Sequence, residues 1–419
     1  MAAAPESAGT GKGMIGWIDQ RFPLTKLWND HVAEYYAPKN FNFWYFFGAL
    51  ALLVLVNQIV TGIFLTMSYK PSSAEAFASI EYIMRDVEWG WLIRYMHTTG
   101  ASAFFIVVYL HMFRALLYGS ARKPRELIWI FGCLIFLLLM AEAFMGYVLP
   151  WGNMSFWGAQ VIVSLFGSLP VIGGTLVEWI RGDYNIADPT LNRFFALHVA
   201  ALPLALVFLV IAHIMALHEV GSNNPDGIDI KKYKDADGHP LDGVPFHPYY
   251  TVKDLMGAAA FLLVFAAVIF FAPNFFGLFL ESPNFEMANP LQTPPDITPV
   301  WYFTPFYAML RAIPSAFGTQ VWGVMVMGAA VLILFFVPWL DRSPVRSIRY
   351  KGPIYKVMLA LFAISFVCLA VCGMKPPSGI YPILARFCTA IYFAFFLLMP
   401  WYTKIDSVKP VPERVTEHA

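Results

Sequence analysis

Charged side chains are scarce in this chain of 419 residues. Asp, Glu, Lys and Arg make up only 13% of it, against roughly 25% in soluble domains. The 28 Lys and Arg residues nearly balance the 27 Asp and Glu residues. The resulting net charge of +1 argues against a partner that is held by charge, so we expect no nucleic-acid binding.

Cysteine is also rare, and all four copies lie inside apolar stretches of the sequence. Membrane-embedded thiols of this kind usually serve as small packing residues. The chain contains no Cys-x-x-Cys-His segment. This absence excludes covalent attachment of a haem through that motif.

Long apolar runs, in contrast, are abundant: 58% of the residues are hydrophobic. A helix of about 20 apolar residues crosses the hydrocarbon of a bilayer, and a closed helical bundle satisfies its backbone there. The sequence therefore predicts an all-α polytopic membrane protein. Its eight transmembrane helices are expected at residues 43–67, 91–118, 127–149, 194–217, 255–276, 321–340, 354–372 and 380–401.

Two further segments are predicted to lie at the membrane surface. Residues 14–28 mix Ile, Trp, Phe and Leu with polar residues, which is typical of an amphipathic interfacial helix. Residues 155–173 are apolar but interrupted by glycine and proline. We expect this segment to form a hairpin of short helices and not a ninth span.

The distribution of positive charge predicts the orientation in the membrane. Eight spans place both termini on one side, and most of the 28 Lys and Arg residues lie on that side, including those of 122–125 and 342–351. The positive-inside rule makes this side cytoplasmic. The long loops after the third and fifth spans then face the opposite, electrically positive side.

Four histidines lie within the predicted spans, all of them in the first half of the chain. This division suggests two domains, residues 1–224 and 225–419. His97 and His111 are 14 residues apart in the second span, which corresponds to about 21 Å of helix. His198 and His213 are 15 residues apart in the fourth span, which corresponds to about 22 Å. The two spans run in the same direction, because one span lies between them.

Paired imidazoles at two depths are typical of two haem irons, each with two histidine ligands. We expect one haem between His97 and His198 near the positive side. The other is expected between His111 and His213 near the cytoplasmic side. The alternative is that these histidines are hydrogen-bonded packing residues, since an ionisable group inside a membrane always needs a partner.

Glycines and arginines repeat the spacing of the histidines. The glycines of the first and third spans are also 14 residues apart, and glycine permits the close approach of a flat porphyrin; they are Gly48, Gly62, Gly132 and Gly146. Small-residue packing between helices is the alternative explanation. Arg94 and Arg114 lie one turn from His97 and His111, where each could pair with a haem propionate or extend toward the membrane interface.

Six short motifs are distinctive: Gln-Ile-Val-Thr-Gly at 58–62, Gly-Tyr-Val-Leu-Pro-Trp-Gly at 146–152, Ser-Phe-Trp-Gly at 155–158, His-Glu-Val-Gly-Ser-Asn-Asn-Pro at 218–225, Lys-Asp at 253–254 and Pro-Val-Trp-Tyr at 299–302. They resemble the motifs of cytochrome b, the membrane core of quinol–cytochrome c oxidoreductase. The resemblance covers nearly the whole chain. Eight spans in one chain resemble the fused form of the family.

This resemblance implies a core subunit with two non-covalent b-type haems and two quinone sites. Quinol would be oxidised in a bifurcated reaction on the positive side, and quinone reduced on the cytoplasmic side, which generates a proton gradient. The implied partners are a Rieske-type iron–sulfur protein, a membrane-anchored c-type cytochrome and a second copy in a homodimer of the complex. The implied location is the bacterial inner membrane, with both termini in the cytoplasm.

The resemblance also implies the residues of the two quinone sites. The quinol oxidation pocket would use Tyr147 and Tyr302 as polar groups, with a largely apolar lining of Phe144, Met154, Gly158, Pro299 and Trp301. The quinone reduction site would be formed by His218, Ser222, Lys253 and Asp254. A histidine and an aspartic acid can deliver protons to a reduced quinone.

The chain departs from the family pattern in three places. Val300 occupies the position of the usual Glu, whose carboxylate is thought to bind quinol and accept its proton. Asp296 stands where a histidine is common. The spacing of 15 in the fourth span adds a residue within 199–202, ahead of Pro203, and we expect a local bulge there.

Glu142 offers a replacement for the missing carboxylate. It lies inside the third span, one turn before Tyr147, and a carboxylate in a membrane is usually functional. The alternative is a glutamate that is hydrogen-bonded within the bundle. A Glu142→Gln variant, tested for quinol oxidation and its pH profile, distinguishes the two.

Two other functions fit part of the pattern. A dihaem anchor subunit of another quinone-linked oxidoreductase would share the paired histidines but would not need the last four spans. A haem-free transporter could use intramembrane His, Arg and Glu as a proton relay. An absorption spectrum separates the transporter from both haem proteins.

Overall fold

The chain folds into a bundle of long helices joined by short surface helices. The computed structural model describes residues 13–315 and 319–416. The helices are α1 (Met14–Asp19), α2 (Leu24–Trp28), α3 (Phe46–Thr66), α4 (Ala76–Arg85), α5 (Gly90–Tyr118), α6 (Glu126–Val148), α7 (Asn153–Phe166), α8 (Gly173–Arg181), α9 (Asp188–Ala196), α10 (Leu202–Val220), α11 (Thr251–Phe271), α12 (Thr304–Ala312), α13 (Val321–Leu332), α14 (Val337–Leu340), α15 (Pro353–Gly373), α16 (Tyr381–Leu397) and α17 (Met399–Ile405).

Among the described residues, seven helical segments are long and apolar enough to cross a membrane, and a bent pair makes an eighth. The multi-span, all-α prediction is therefore confirmed. The eighth span was expected to be continuous, but it bends by 61° between α16 and α17. Pro400, at the start of α17, contributes to this bend because it has no amide hydrogen to donate to the preceding turn.

The fourth span contains the expected bulge. Between α9 and α10, residues Leu197–Ala201 form a π-helical turn, and the whole span runs from Asp188 to Val220. A π turn accommodates one additional residue without ending the helix. Pro203 follows directly and cannot donate a backbone hydrogen bond, so the extra residue is absorbed where the sequence predicted it.

The first four spans pack as two close pairs, α3 with α5 and α6 with α10. Side-chain amides join the first pair: Asn57 donates to the Met96 carbonyl oxygen at 3.1 Å, and Gln58 donates to that of His97 at 3.0 Å. A Cβ atom on Gly100 would lie only 2.1 Å from Oε1 of Gln58. The two amide side chains therefore occupy the space that a side chain at position 100 would fill.

The second half of the chain packs around α12, α15 and α16. The two halves share one apolar core, in which the ring of Phe105 stacks on that of Tyr302 with centroids 4.0 Å apart. The fifth span ends at Phe271, before the predicted residue 276. Pro273 explains the earlier end, since the residue before a proline disfavours helical geometry.

The surface segments are short. The segment 155–173, predicted to hold a whole hairpin, contains only α7 and the turn after it, and the second helix, α8, begins at Gly173 and ends at Arg181. The predicted interfacial segment contains two short helices, α1 and α2, in place of one. The sequence did not predict the two-stranded antiparallel ladder of β1 (Tyr36–Pro38) and β2 (Gly243–Pro245). Strands of three residues are too short to show an alternating pattern.

One buried carboxylate, Asp226, joins distant parts of the chain at one end of the bundle. Asp226 accepts hydrogen bonds from Asn40 at 3.0 Å, from Arg349 at 2.9 Å, from Tyr350 at 2.8 Å and from the Thr416 hydroxyl at 2.8 Å. The predicted domain boundary at residues 224 and 225 lies beside this cluster and stays a prediction.

Candidate functional site

The four intramembrane histidines form two pairs. The ring centroids of His97 and His198 are 6.2 Å apart, and those of His111 and His213 are 6.3 Å apart. Helix α5 supplies one member of each pair, while the π turn and α10 supply the others. The sequence predicted this pairing from the spacing alone.

The separation within each pair fits a metal between two imidazoles. An imidazole nitrogen binds a metal at about 2 Å, and the centre of the ring lies about 1 Å behind that nitrogen. Two such rings on opposite sides of one metal therefore have centroids about 6 Å apart, in agreement with the observed 6.2 and 6.3 Å. Both pairs have the separation that a haem iron requires.

We call His97 and His198 the upper pair. Hydrogen bonds to these two rings orient them for binding an iron between them. The Thr61 hydroxyl donates to the Asn57 carbonyl at 2.6 Å, so its oxygen can accept from Nδ1 of His97 at 2.9 Å. Nδ1 of His198 lies 2.9 Å from the carbonyl oxygen of Glu142. A proton on each Nδ1 leaves Nε2 free to bind iron.

Each of the four predicted glycines faces a different histidine. A Cβ atom would lie 3.3 Å from His111 at Gly48, 3.3 Å from His97 at Gly62, 3.6 Å from His213 at Gly132 and 2.4 Å from His198 at Gly146. General packing between helices gives no reason for this one-to-one match. The absence of a side chain at these positions leaves room for the rings and for a flat group between them.

Arg114 lies at the lower pair, defined as His111 and His213. Its Nε atom is buried and has no hydrogen-bond partner within the described part of the chain. Its Nη2 atom is 3.3 Å from Nδ1 of His111, and its guanidinium covers the ring of Tyr45 at 4.7 Å. A buried guanidinium with an unused donor suits an anionic group such as a propionate. If the Arg114 guanidinium turned toward a propionate, it would also leave its contact with Nδ1 of His111.

Arg94 occupies the corresponding place near the upper pair. It lies on α5, one turn before His97, and is half-buried. The sequence predicted both arginines as propionate partners. The structure places each of them within one helical turn of a paired histidine.

The predicted quinol pocket contains a carboxylate that sequence reasoning missed. The Tyr147 hydroxyl donates to Oε2 of Glu281 at 3.1 Å, and Nδ2 of Asn284 donates to the Tyr147 oxygen at 2.8 Å and to Glu281 at 3.2 Å. One sequence signal existed: Glu281 ends the uncharged stretch 255–280. The fold was still needed to bring it to Tyr147.

Burial controls the protonation of this group. Desolvation raises the pKa of the Glu281 carboxyl to about 7, against the hydrogen bonds from Tyr147 and Asn284, which lower it. Burial also raises the pKa of Tyr302 well above its usual range, and the nearby Glu281 carboxylate adds to that rise. Glu281 is therefore poised to gain or lose a proton near neutral pH, while Tyr302 stays protonated.

The loop that carries Val300, Trp301 and Tyr302 is fixed against α5. The Trp301 indole donates to Ser102 at 3.1 Å, and the Tyr302 carbonyl accepts from Tyr109 at 2.6 Å. Val300 is only 3% exposed, so this position is closed and apolar. Asp296, just upstream, is exposed to solvent.

The other predicted lining residues lie on both sides of this group. Gly158 faces the Tyr147 ring, where a Cβ atom would lie 3.9 Å away. Met154 is buried at the start of α7, and Phe144 packs edge-on against Phe194. Pro299 precedes the buried Val300.

Glu142 contacts the upper histidine pair. Its Oε1 atom is 3.0 Å from Nδ1 of His198, the same nitrogen that its own carbonyl approaches. Its Oε2 atom is buried without a hydrogen-bond partner among the described residues. The carboxylate therefore lies directly behind a predicted iron ligand.

Two of the predicted quinone reduction residues, His218 and Ser222, contact Tyr35 at the opposite end. The Tyr35 hydroxyl is 2.8 Å from Oγ of Ser222, and its ring is 4.6 Å from that of His218. The Tyr35 carbonyl also accepts from the amide of Phe246, at the start of the fifth span, at 2.7 Å. Sequence reasoning missed Tyr35, which touches both segments that carry the predicted residues.

Lys253 and Asp254 lie on the first turn of α11. The Lys253 ammonium lies over the rings of Tyr249 and Tyr250, at 4.5 and 5.4 Å from their centroids. Asp254 is half-buried. The other predicted segment is fixed where α10 ends: Arg125 donates hydrogen bonds to the carbonyl oxygens of Gly221 at 2.9 Å and Ser222 at 3.2 Å.

Comparisons with known proteins agree with this geometry. The family description "Cytochrome b/b6/petB" matches residues 32–221, and "Cytochrome b(C-terminal)/b6/petD" matches residues 287–393. The chain belongs to the cytochrome b family. The resemblance stated from the sequence motifs is thereby confirmed.

Individual members of the cytochrome b family are similar over almost the whole chain. A cytochrome b from Allochromatium vinosum is 64% identical over 96% of this chain and 98% of its own length. One from Rickettsia prowazekii is 48% identical over 96% and 97%. A solved structure of a "Hyperthermophilic respiratory Complex III" matches with a TM-score of 0.86 and 39% identity, over 94% of this chain and 99% of that one. The chain thus belongs, over almost all of its length, to the multi-span cytochrome b proteins of respiratory electron transport, a family that binds haem.

Proposed function

We propose that the chain is the haem- and quinone-binding core subunit of a quinol–cytochrome c reductase. The observation that carries this proposal is the arrangement of two histidine pairs, each faced by two glycines, at two depths of one bundle. His97 and His198 would hold one b haem, and His111 and His213 the other. When bound, the haems supply one-electron carriers on the two sides of the membrane.

Quinol oxidation is assigned to the pocket beside the upper pair. Tyr147 and Tyr302 would orient the quinol hydroxyls, with Trp301 among the largely apolar residues that enclose the ring. The reaction would be bifurcated: one electron would leave for an iron–sulfur protein, and the other would go to the haems that the two histidine pairs would hold. The quinol protons are released on the positive side of the membrane.

Quinone reduction is assigned to the opposite end of the bundle. His218 and Asp254 would deliver protons to the reduced quinone, and Ser222 and Lys253 would hold it. Tyr35 joins this set, because it hydrogen-bonds with Ser222 and contacts the His218 ring. Protons taken up here and released at the other side build a proton gradient.

The proposal includes partners and an orientation. The similar solved structure is that of a respiratory complex III, which supports partner subunits. The motif resemblance implies that these are a Rieske-type iron–sulfur protein and a membrane-anchored c-type cytochrome, in a homodimeric complex. The charge distribution supports a bacterial inner membrane location with both termini in the cytoplasm.

Purification and spectroscopy test this function. We expect reduced b-type bands that correspond to two haems per chain, together with co-purified iron–sulfur and c-type subunits. A colourless protein would favour a haem-free transporter. Two haems without those subunits would favour a dihaem anchor of another quinone-linked oxidoreductase.

The Glu142→Gln variant tests the role of Glu142. A carboxylate behind an imidazole makes the ligand more basic and stabilises oxidised iron. We therefore expect the variant to raise the midpoint potential of the haem at His198 by about 60 mV, the equivalent of about 1.4 kcal/mol for one electron. Redox titration of the absorption bands measures the change.

The same variant tests the hypothesis that Glu142 accepts the quinol proton. In that case the midpoint potentials would stay constant, and the pH profile of quinol oxidation would change instead. The contact at 3.0 Å from His198 favours the first outcome.

A further inference from the structure

The usual carboxylate of the quinol pocket is missing at position 300. Val300 has no ionisable group and is 3% exposed, so neither it nor water at that position can serve as a base. Quinol oxidation must nevertheless pass a proton to an acceptor. The pocket therefore needs another group beside the two tyrosines.

We propose that Glu281 accepts one quinol proton in place of the missing carboxylate. This inference rests on the proposed function, because it assigns a residue to the quinol oxidation reaction. Glu281 comes from the loop between α11 and α12, and it meets Tyr147 from the end of α6. The Glu281 carboxylate also interacts electrostatically with the Tyr302 hydroxyl, whose pKa it raises.

The Asn284 side chain orients the carboxylate. Its Oδ1 atom accepts from the Ser155 amide at 2.8 Å, which fixes the other end of the carboxamide as a donor. That donor reaches both the Tyr147 oxygen and Glu281. Gly152 is needed for the approach, since a Cβ atom there would lie 2.6 Å from Oδ1 of Asn284. Asn284 is thus a positioning residue.

The charges around Glu281 leave it able to exchange a proton. The titratable groups that face it are the hydroxyls of Tyr147 and Tyr302. Within residues 13–315 and 319–416, no Lys, Arg or His forms an ion pair with it. A buried carboxylate without a cation keeps a raised pKa, here about 7. It can therefore accept a proton at neutral pH and later release it.

The chemical step balances within the proposed reaction. One quinol O–H bond breaks, and the proton forms a new O–H bond on the Glu281 carboxylate. The electron that accompanies this proton leaves for the iron–sulfur protein, which is the oxidant. Tyr147 keeps its proton throughout and holds the carboxylate by its hydrogen bond. General base catalysis of this kind typically contributes about 10²-fold to 10⁴-fold in rate.

The test uses the assembled complex with Glu281→Gln, Glu281→Asp and a matched control, Glu286→Gln. Glu286 lies in the same loop, and its side chain is exposed. We expect Glu281→Gln to slow quinol oxidation at pH 7 by about 100-fold or more, with both haem bands unchanged. Glu281→Asp should keep part of the rate, and the control should keep all of it.

Two pH measurements complete the test. Because only the ionised carboxylate accepts a proton, the wild-type rate of quinol oxidation should rise as pH increases through about 7. The rate of the Glu281→Gln complex should not show this rise. In infrared spectra, a protonated-carboxyl band that titrates over the same range should be absent from that variant and present in the control.

The outcomes separate this inference from the proposed function. A Glu281→Gln complex that oxidises quinol at the wild-type rate, with the same rise with pH and the same infrared band, would overturn the inference alone. A wild-type complex without two b haems or without quinol oxidation would overturn the proposed function. Rate loss in Glu281→Gln with loss of haem would also count against the inference, since it would indicate a structural role.

Discussion

Replacing His213 with Asn removes one of the two b haems and leaves the other in place. Asn keeps a polar side chain of similar size but provides no imidazole nitrogen for the iron. A haem with one remaining protein ligand at His111 is not retained through purification. We expect the haem content to fall from two per chain to one, measured from the reduced absorption bands and by extraction of the pigment.

The same substitution at two other positions makes this result specific. His97→Asn should remove the other haem, so that the two variants lose bands at different potentials. His218→Asn, farther along α10, should keep two haems because His218 belongs to neither pair. Two haems in the His213→Asn protein, or loss of both in each single variant, would contradict the assignment of separate pairs.

Gly146→Ala is expected to cause nearly as large a loss. The new Cβ atom would lie 2.4 Å from Cε1 of His198, far inside van der Waals contact, and the adjacent Nδ1 atom is held by two oxygen atoms of Glu142. The ring must therefore turn away from the iron. We expect the haem at the upper pair to fall below half occupancy, measured spectroscopically at fixed protein concentration.

Gly132→Ala is the matched control on the same helix. Its Cβ atom would lie 3.6 Å from His213, which is an ordinary contact distance, so we expect a smaller loss of the haem at the lower pair than Gly146→Ala causes at the upper pair. Equal haem loss in the two variants would mean that helix packing, and not contact with the histidine ring, explains the glycines.

The sequence was sufficient to predict the membrane fold and the histidine pairs. Both depend on regular helical spacing, which relates sequence distance directly to depth and direction. The π turn at Leu197–Ala201 was also predictable, because an extra residue ahead of Pro203 has few other ways to fit. These features are local, or they repeat with the period of a helix.

The contacts of the quinone sites were less accessible. Glu281 meets Tyr147 and Tyr35 meets Ser222 only through the fold, and single loop residues carry no periodic signal. The sequence indicated that a carboxylate was missing at Val300. It suggested Glu142 as the replacement, because that residue lies close to Tyr147 along the third span. The bend in the last span had a visible cause in Pro400, but its angle depends on packing against neighbouring helices.

The hydrogen bonds of Asp226 have a consequence for how the chain is synthesised. Its partners are Asn40 from the first half of the chain and Arg349, Tyr350 and Thr416 from the second, so a hydrogen bond joins the two halves here in addition to the peptide link next to it. That link has a different benefit. A single polypeptide delivers both halves to the ribosome exit in equal numbers, and neither half has to find its counterpart by diffusion in the bilayer.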